Sequence, residues 1–237
     1  MRKLTLITGI ALCAVALQTG MNVSALGTAE DTTGKVELKK DTTTNVVVPP
    51  STGGGNTGGG TVSPSKLEFA EVPTEILFNK KITSADQIAP LVTFTAVRGK
   101  DAQGNVTTGN QRVGVYDGRL LVDGINWKVS AKATEFKTAN GNAKLTGAKI
   151  KLKDVKLTSQ DTSAALSFKT ASKDFVISTN NTSADFFGTK DSTSQAKQFS
   201  YAEWDPEKVE LEVAGNQLVE GTFSSTISWN LSDTAIN

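Results

Sequence analysis

The sequence predicts an all-β fold, an antiparallel β-sandwich-like (or Greek-key) domain that follows a disordered N-terminal tether. Three observations carry the prediction. First, apolar and polar residues alternate over short runs, as in Lys149-Ile150-Lys151-Leu152-Lys153 and Val209-Glu210-Leu211-Glu212-Val213. That period belongs to a strand with one face on a core and the other in water. Second, the dipeptides Asp117-Gly118, Asp123-Gly124 and Asn140-Gly141 fall between such runs, where they signal tight turns. Third, helical stretches are scarce and short: Ser84–Ile88, and one around Ser194–Lys197. Many short strands punctuated by Gly, Asn and Asp indicate a sandwich or barrel.

Taken in order, residues 1–25 read as a secretory signal. Arg2 and Lys3 form a basic start, Leu4 to Leu17 an apolar stretch, and Val23-Ser24-Ala25 a small-x-small cleavage sequence. Gly27-Thr28-Ala29 is a second candidate of the same kind. Residues 26–65 read as a disordered Thr/Gly/Pro-rich linker, with six glycines in the eight residues Gly53 to Gly60 and little apolar surface to offset ordering entropy. Within it, Val36 to Lys39 and Val46 to Val48 are candidates for isolated strands.

Residues 66–237 form the predicted domain. Leu67 and Phe69 alternate, as do Ile76 and Phe78. Strands are then expected over Leu91 to Val97, Gln111 to Tyr116, Leu120 to Val122, Trp127 to Ala133, Lys149 to Lys153, Leu166 to Thr170 and Phe175 to Thr179. The segment Thr179 to Gln198, rich in Ser, Thr, Asn and Asp, reads as a long polar loop suited to recognition. The last strand is expected to run unbroken from Phe223 to Leu231. Phe223, Ser225, Ile227, Trp229 and Leu231 share one face of it, and small polar groups share the other.

Composition narrows the function. The formal net charge is +1, and removing Arg2 and Lys3 with the signal lowers it by two, to −1. A near-neutral chain lacks the clustered cations that nucleic acid demands, so no nucleic-acid partner is expected. After residue 26 no apolar run is long enough for a transmembrane segment. Cys13, the one cysteine, lies in the signal, and histidine is absent. Disulfides, thiolate metal sites and His-based triads are thereby excluded, and no metal, cofactor or enzymatic activity is expected. Carboxylates are plentiful, yet nothing marks two as a hydrolase pair. Asp101 to Asn105 has oxygen-rich residues but lacks the spacing of a calcium loop, and reads as a hairpin turn.

Arg98, Arg112 and Arg119 are the arginines beyond the signal. The last two flank Tyr116 and Asp117-Gly118, where they suggest either a small site for phosphates or carboxylates or ordinary surface charge. Trp127 and Trp229 alternate with aliphatic residues, a pattern commoner in cores than in glycan-stacking sites. Trp204 lies in a turn-rich stretch and reads as a rim residue.

Two stretches resemble the motifs of the WxL domain, a cell-surface module of low-GC Gram-positive bacteria. Trp229-Asn230-Leu231-Ser232-Asp233 resembles the distal motif, with Phe223 and Ile227 where the family usually places a Tyr-x-x-x-Leu. Trp127-Lys128-Val129-Ser130-Ala131, continuing through Phe136 to Leu145-Thr146-Gly147-Ala148, resembles the proximal one, with Val129 in place of leucine. The resemblance runs from about Leu67 to Asn237. It implies a secreted protein attached non-covalently to cell-wall peptidoglycan at the cell surface, with Trp127, Val129, Phe223, Ile227, Trp229 and Leu231 as the wall-binding motif. It also implies a membrane-anchored partner in a surface complex. No Leu-Pro-x-Thr-Gly-type motif follows Leu231, so retention is expected to come from binding. The alternative from another class is a structural or adhesive subunit that binds a protein partner by strand addition.

Overall fold

The structure is a computed structural model, and it describes residues 28–31, 46–47, 57–59, 61–63, 65–78, 82–100, 103–119, 126–169 and 173–236. The alternating segments form three five-stranded sheets with antiparallel pairing throughout. One sheet runs Thr28–Asp31, Ile227–Ser232, Lys128–Ala133, Ala184–Thr189, Leu166–Phe168. A second runs Lys156–Ser159, Gln198–Trp204, Gln111–Asp117, Leu67–Pro73, Thr57–Gly59. The third runs Phe175–Ser178, Lys149–Leu152, Val209–Val213, Val92–Val97, Leu77–Phe78. A small sheet joins Lys144–Leu145, Phe136–Thr138 and Phe223–Ser224, and Val46–Val47 pairs with Thr61–Val62.

All three large sheets turn apolar faces onto one core. Val92, Phe94 and Ala96 are buried while Thr93, Thr95 and Val97 are exposed, so the period of two read from the sequence is the period of burial. Trp127, Trp204, Trp229, Phe186, Phe187, Ile150, Leu152, Ile177 and Leu231 are among the largest fully buried side chains. The expected all-β class therefore holds. Asn140-Gly141 does make a turn: Gly141 takes φ +72°, which glycine adopts without strain, and its N–H donates to Thr138 O at 2.8 Å. Ser84–Ile88 is the expected helix, opened by a capping box between Thr83 and Asp86.

Several expectations are corrected. The final strand is not continuous: Phe223–Ser224 joins the small sheet and Ile227–Ser232 the large one, with a corner at Ser225 and Thr226. Ser225, the polar residue on the otherwise apolar face, is what the corner uses, donating to Thr134 O at 2.6 Å. The Thr179–Gln198 segment is not a loop throughout. Ala184–Thr189 is an inner strand of the motif-bearing sheet, and a register shift between Asp185 and Phe187 lets both Phe186 and Phe187 enter the core.

Ser194–Lys197 is not helical. Asp191 instead gathers Thr193 N and the hydroxyls of Thr193 and Ser194, while Lys197 N donates to Asp161. In the expected linker, Thr28–Asp31 and Thr57–Gly59 are strands at the edges of large sheets, where their backbones complete ladders that the domain leaves open. Val46–Val47 is a strand within the Val46 to Val48 candidate, though not an isolated one, because it pairs with Thr61–Val62. The signal reading (residues 1–25), the Val36 to Lys39 candidate, the Leu120 to Val122 strand and the Asp123-Gly124 turn lie outside the described residues.

Candidate functional site

The two motif stretches, about a hundred residues apart in sequence, lie side by side. Ile227 pairs with Ala133, Trp229 with Ala131 and Leu231 with Val129. Directly paired residues of an antiparallel ladder share a face, so the apolar stripes of both motifs form one surface. The same two chain segments continue into the small sheet, where Lys137 pairs with Ser224 and Thr138 with Phe223. The result is a bent two-stranded ribbon. Thr134 clasps its corner: Thr134 N donates to Thr226 O at 3.0 Å, and Thr226 N donates back to Thr134 Oγ1 at 2.9 Å.

The stripe faces inward. Trp127, Val129, Trp229 and Leu231 have no exposed surface and Ile227 is 3% exposed, whereas Phe223 is half-buried. Trp229 lies against Phe186 and Trp204, at centroid distances of 5.9 and 6.3 Å. Trp127 meets the edge of Phe187 at 5.6 Å, and its indole N–H donates to Ala196 O at 3.0 Å. A buried indole N–H needs a partner, and this one fixes the ring. The core reading of Trp127 and Trp229 is therefore the one the geometry supports. Trp204 does not sit at a rim: it is 1% exposed and its indole N–H reaches Gln111 Oε1 at 3.3 Å. Its turn-rich neighbourhood is the end of an inner strand.

Gly188, on the strand beside Trp127, is required by close approach. A Cβ there would lie 2.4 Å from Trp127 O and 2.7 Å from Lys128 Cα, both backbone atoms that cannot move aside.

Where the ribbon bends, it opens a cleft of about 290 Å³. Phe223 and Ile227 from the distal motif and Phe136 from the proximal one meet Ile76, Leu77 and Phe78 there, with Thr74, Glu75, Ser224 and Ser225 adding polar atoms. Phe78 meets the edge of Phe136 at 6.5 Å, and Leu77 is 40% exposed. Thus two of the six motif residues, Phe223 and Ile227, line a surface concavity and the other four do not. Sequence reasoning missed Ile76 to Phe78 as cleft residues, although their apolar alternation was visible.

The arginines make no anion site. Arg98 binds Asp205 at 2.6 Å, Arg119 binds Asp117 at 2.9 Å, and Arg112 is ion-paired with Glu71 inside the protein. Each guanidinium is matched by a carboxylate, from a distant segment for Arg98 and Arg112 and from its own turn for Arg119, and neither the anion-site reading nor the plain surface-charge reading describes Arg112. Among the described residues, no cluster of His, Cys, Asp or Glu is placed to hold a metal ion. Gln103 to Val106 belong to a turn closed by the Lys100–Val106 bridge, as a hairpin reading requires.

Burial pushes the Tyr201 phenol up to about 12, against the opposing pull of the Arg112 cation, whose Cζ sits 4.4 Å from the ring centroid. The neutral phenol is therefore the form the fold prefers. Its contribution to stability is complete below the ordinary pKa of 10.0 and is lost as pH rises from there toward about 12. Alkaline unfolding is expected to move to higher pH in Tyr201→Phe, followed by circular dichroism against pH. An unchanged midpoint would show that Tyr201 does not govern the transition.

The two Trp-x-aliphatic motifs thus pair as neighbouring strands of one sheet in an all-β domain. A family model described as "WxL domain surface cell wall-binding" matches residues 25–235, nearly the whole chain. The chain belongs to the WxL domain family, a family of cell-wall-binding surface domains. The match takes in the strand Thr28–Asp31. Comparison with curated proteins and with solved structures finds no match to either. No helix among the described residues is long and apolar enough to cross a membrane.

Proposed function

We propose that the protein is exported and held non-covalently on wall peptidoglycan by this domain, with the motif tryptophans acting from inside and the cleft beside Phe223 making the contact. The observation that carries the reading is the split in the motif. Trp127, Val129, Trp229 and Leu231 are sealed in the core, while Phe223 is the motif side chain that remains half-exposed, on a cleft with aromatic walls. Phenyl faces accept the apolar faces of sugars, and Thr74, Ser224 and Glu75 supply polar atoms at the same cleft. The tryptophans then fix the ribbon whose bend shapes the cleft.

The test is co-sedimentation of the mature protein with protein-free peptidoglycan. Phe223→Ser is expected to reduce the bound fraction about tenfold while circular dichroism stays unchanged, in line with the loss of one well-placed aromatic contact. Full binding by a folded Phe223→Ser variant removes the cleft from the account. Failure of the wild-type protein to sediment removes peptidoglycan binding itself.

A second reading, strand addition by a protein partner, has its own observation. Among the described residues, Leu77–Phe78 and Phe223–Ser224 are each the outermost strand of a sheet, and both border the cleft. An edge strand of apolar residues without lysine or proline is open to pairing. The membrane-anchored companion implied by the family resemblance is the partner for this edge. Protein-free peptidoglycan separates the readings: the wild-type protein sediments with it if glycan is the ligand, and stays in solution if a protein partner supplies the attachment.

A further inference from the structure

The helix Ser84–Ile88 buries none of its residues, and its last one is an isoleucine that is 87% exposed. So short a helix without a buried face needs other support. The capping box of Thr83 and Asp86 closes its start, and the short helical turn Gly215–Gln217 holds its end. Gly215 N donates to Ala89 O at 3.1 Å, and Gln87 Nε2 donates to Leu218 O at 3.0 Å. Gly215 admits this approach because it lacks a side chain: a Cβ there would lie 2.2 Å from both Ala89 O and Asp86 O. These polar clamps fix a knob on which Ile88, Leu91 and Val219 stand exposed. The knob is built for display.

From Leu218 the chain runs directly to the cleft. A Cβ on Gly221 would stand 3.2 Å from the Thr138 methyl and 3.3 Å from the Phe223 ring, and Phe223 is the half-exposed wall of the cleft. Knob and cleft are therefore linked by one short stretch of chain. The knob is apolar and protruding, and the cleft is a hollow lined by Phe78, Phe136, Phe223 and Ile227. Their borders carry opposite charges. Glu220 follows Val219 on the knob side, and Lys137 stands opposite Ser224 in the ladder at the cleft. Both are exposed, and among the described residues neither enters an ion pair.

We propose that two copies of this chain form a symmetric dimer in which the knob of each seats in the cleft of the other. A two-fold axis makes the contact reciprocal, so it closes at two copies instead of growing into a filament. It removes Ile88, Leu91 and Val219 from water against aromatic walls, and it sets Glu220 of one copy beside Lys137 of the second. The proposal goes beyond the wall-binding reading and stands without it, because the cleft serves here only as an apolar hollow.

Sedimentation equilibrium of the exported chain tests it. Its mass is expected to rise from one copy to two with increasing concentration. Ile88→Asp, at a position too exposed to govern folding, is expected to weaken association at least ~10-fold while circular dichroism stays unchanged. Phe223→Ser weakens it from the cleft side, and Val176→Asp, at an exposed valine elsewhere on the third sheet, leaves it unchanged. Glu220→Lys lowers association, and adding Lys137→Glu to it restores the dimer. A chain that stays single up to its solubility limit overturns the proposal. So does a dimer indifferent to Ile88→Asp, or a charge swap that brings no recovery. The wall reading is scored separately, by sedimentation with protein-free peptidoglycan, which Ile88→Asp is expected to retain. A chain that dimerises without binding wall removes that reading alone, and one that binds wall without dimerising removes this proposal alone.

Discussion

Trp229→Ala is expected to lower the stability of the domain by about 3–5 kcal/mol, the usual loss when a buried large aromatic is truncated. Domains have roughly 5–15 kcal/mol in total, so the loss takes a large share of the stability and leaves a domain at the low end of that range partly unfolded. The reason lies in position as well as size. Trp229 has no exposed surface, and its strand is bonded to Lys128–Ala133 on one side and Thr28–Asp31 on the other. Its ring packs on Phe186 from the Ala184–Thr189 strand and on Trp204 from a different sheet. Removing it therefore opens a cavity where two sheets meet, and neither backbone can collapse to fill it. Trp229→Phe keeps part of the volume and is expected to lose about half as much or less. Urea denaturation of the three proteins checks the order. Because the indole is enclosed, folded Trp229→Phe is also expected to bind wall as the wild type does. A folded Phe variant that fails to bind would place the indole in the ligand contact and overturn the division between core and cleft.

The alternation of Ile150 with Lys151, or Leu211 with Glu212, was legible because a single strand's burial depends on its own residues. The inward stripe of Trp127 to Ala133 and Ile227 to Leu231 was legible for the same reason. What remained hidden depends on relations between strands. Thr179–Gln198 looked like a loop because Ser, Thr, Asn and Asp dominate its composition. The two consecutive phenylalanines enter the core only because a register shift against Lys128–Ala133 allows it. The corner at Ser225 was visible as a polar residue on an apolar face, yet its meaning needs Thr134, which is ninety-one residues away. Trp204 was misplaced because the turns after it say nothing of the strand that ends in it. The cleft was illegible for a further reason: Ile76 to Phe78 and Phe223 face each other only after two separate sheets have formed.

Arg112 shows how large a consequence such a hidden partner has. The sequence offers an arginine near a turn; the structure buries it, with Glu71 2% and Arg112 7% exposed and the two ion-paired. Space for the pair comes from Gly114, which stands opposite Glu71 in the ladder. A Cβ on Gly114 would lie 2.8 Å from the Tyr201 ring, over which the guanidinium rests. Removing one member of a buried pair takes away the counter-charge nearest the other, and Glu71→Ala or Arg112→Ala is expected to destabilise by about 3–5 kcal/mol. Replacing both with apolar residues of similar volume, Glu71→Leu with Arg112→Met, removes both desolvation penalties together. That double variant is expected to come back near wild type, or to exceed it by about 1–4 kcal/mol. Thermal and urea unfolding of the four proteins completes a double-mutant cycle. Losses in the double variant equal to the sum of the two singles would mean that the charges do not interact, and the role of Arg112 would then reduce to its packing on Tyr201.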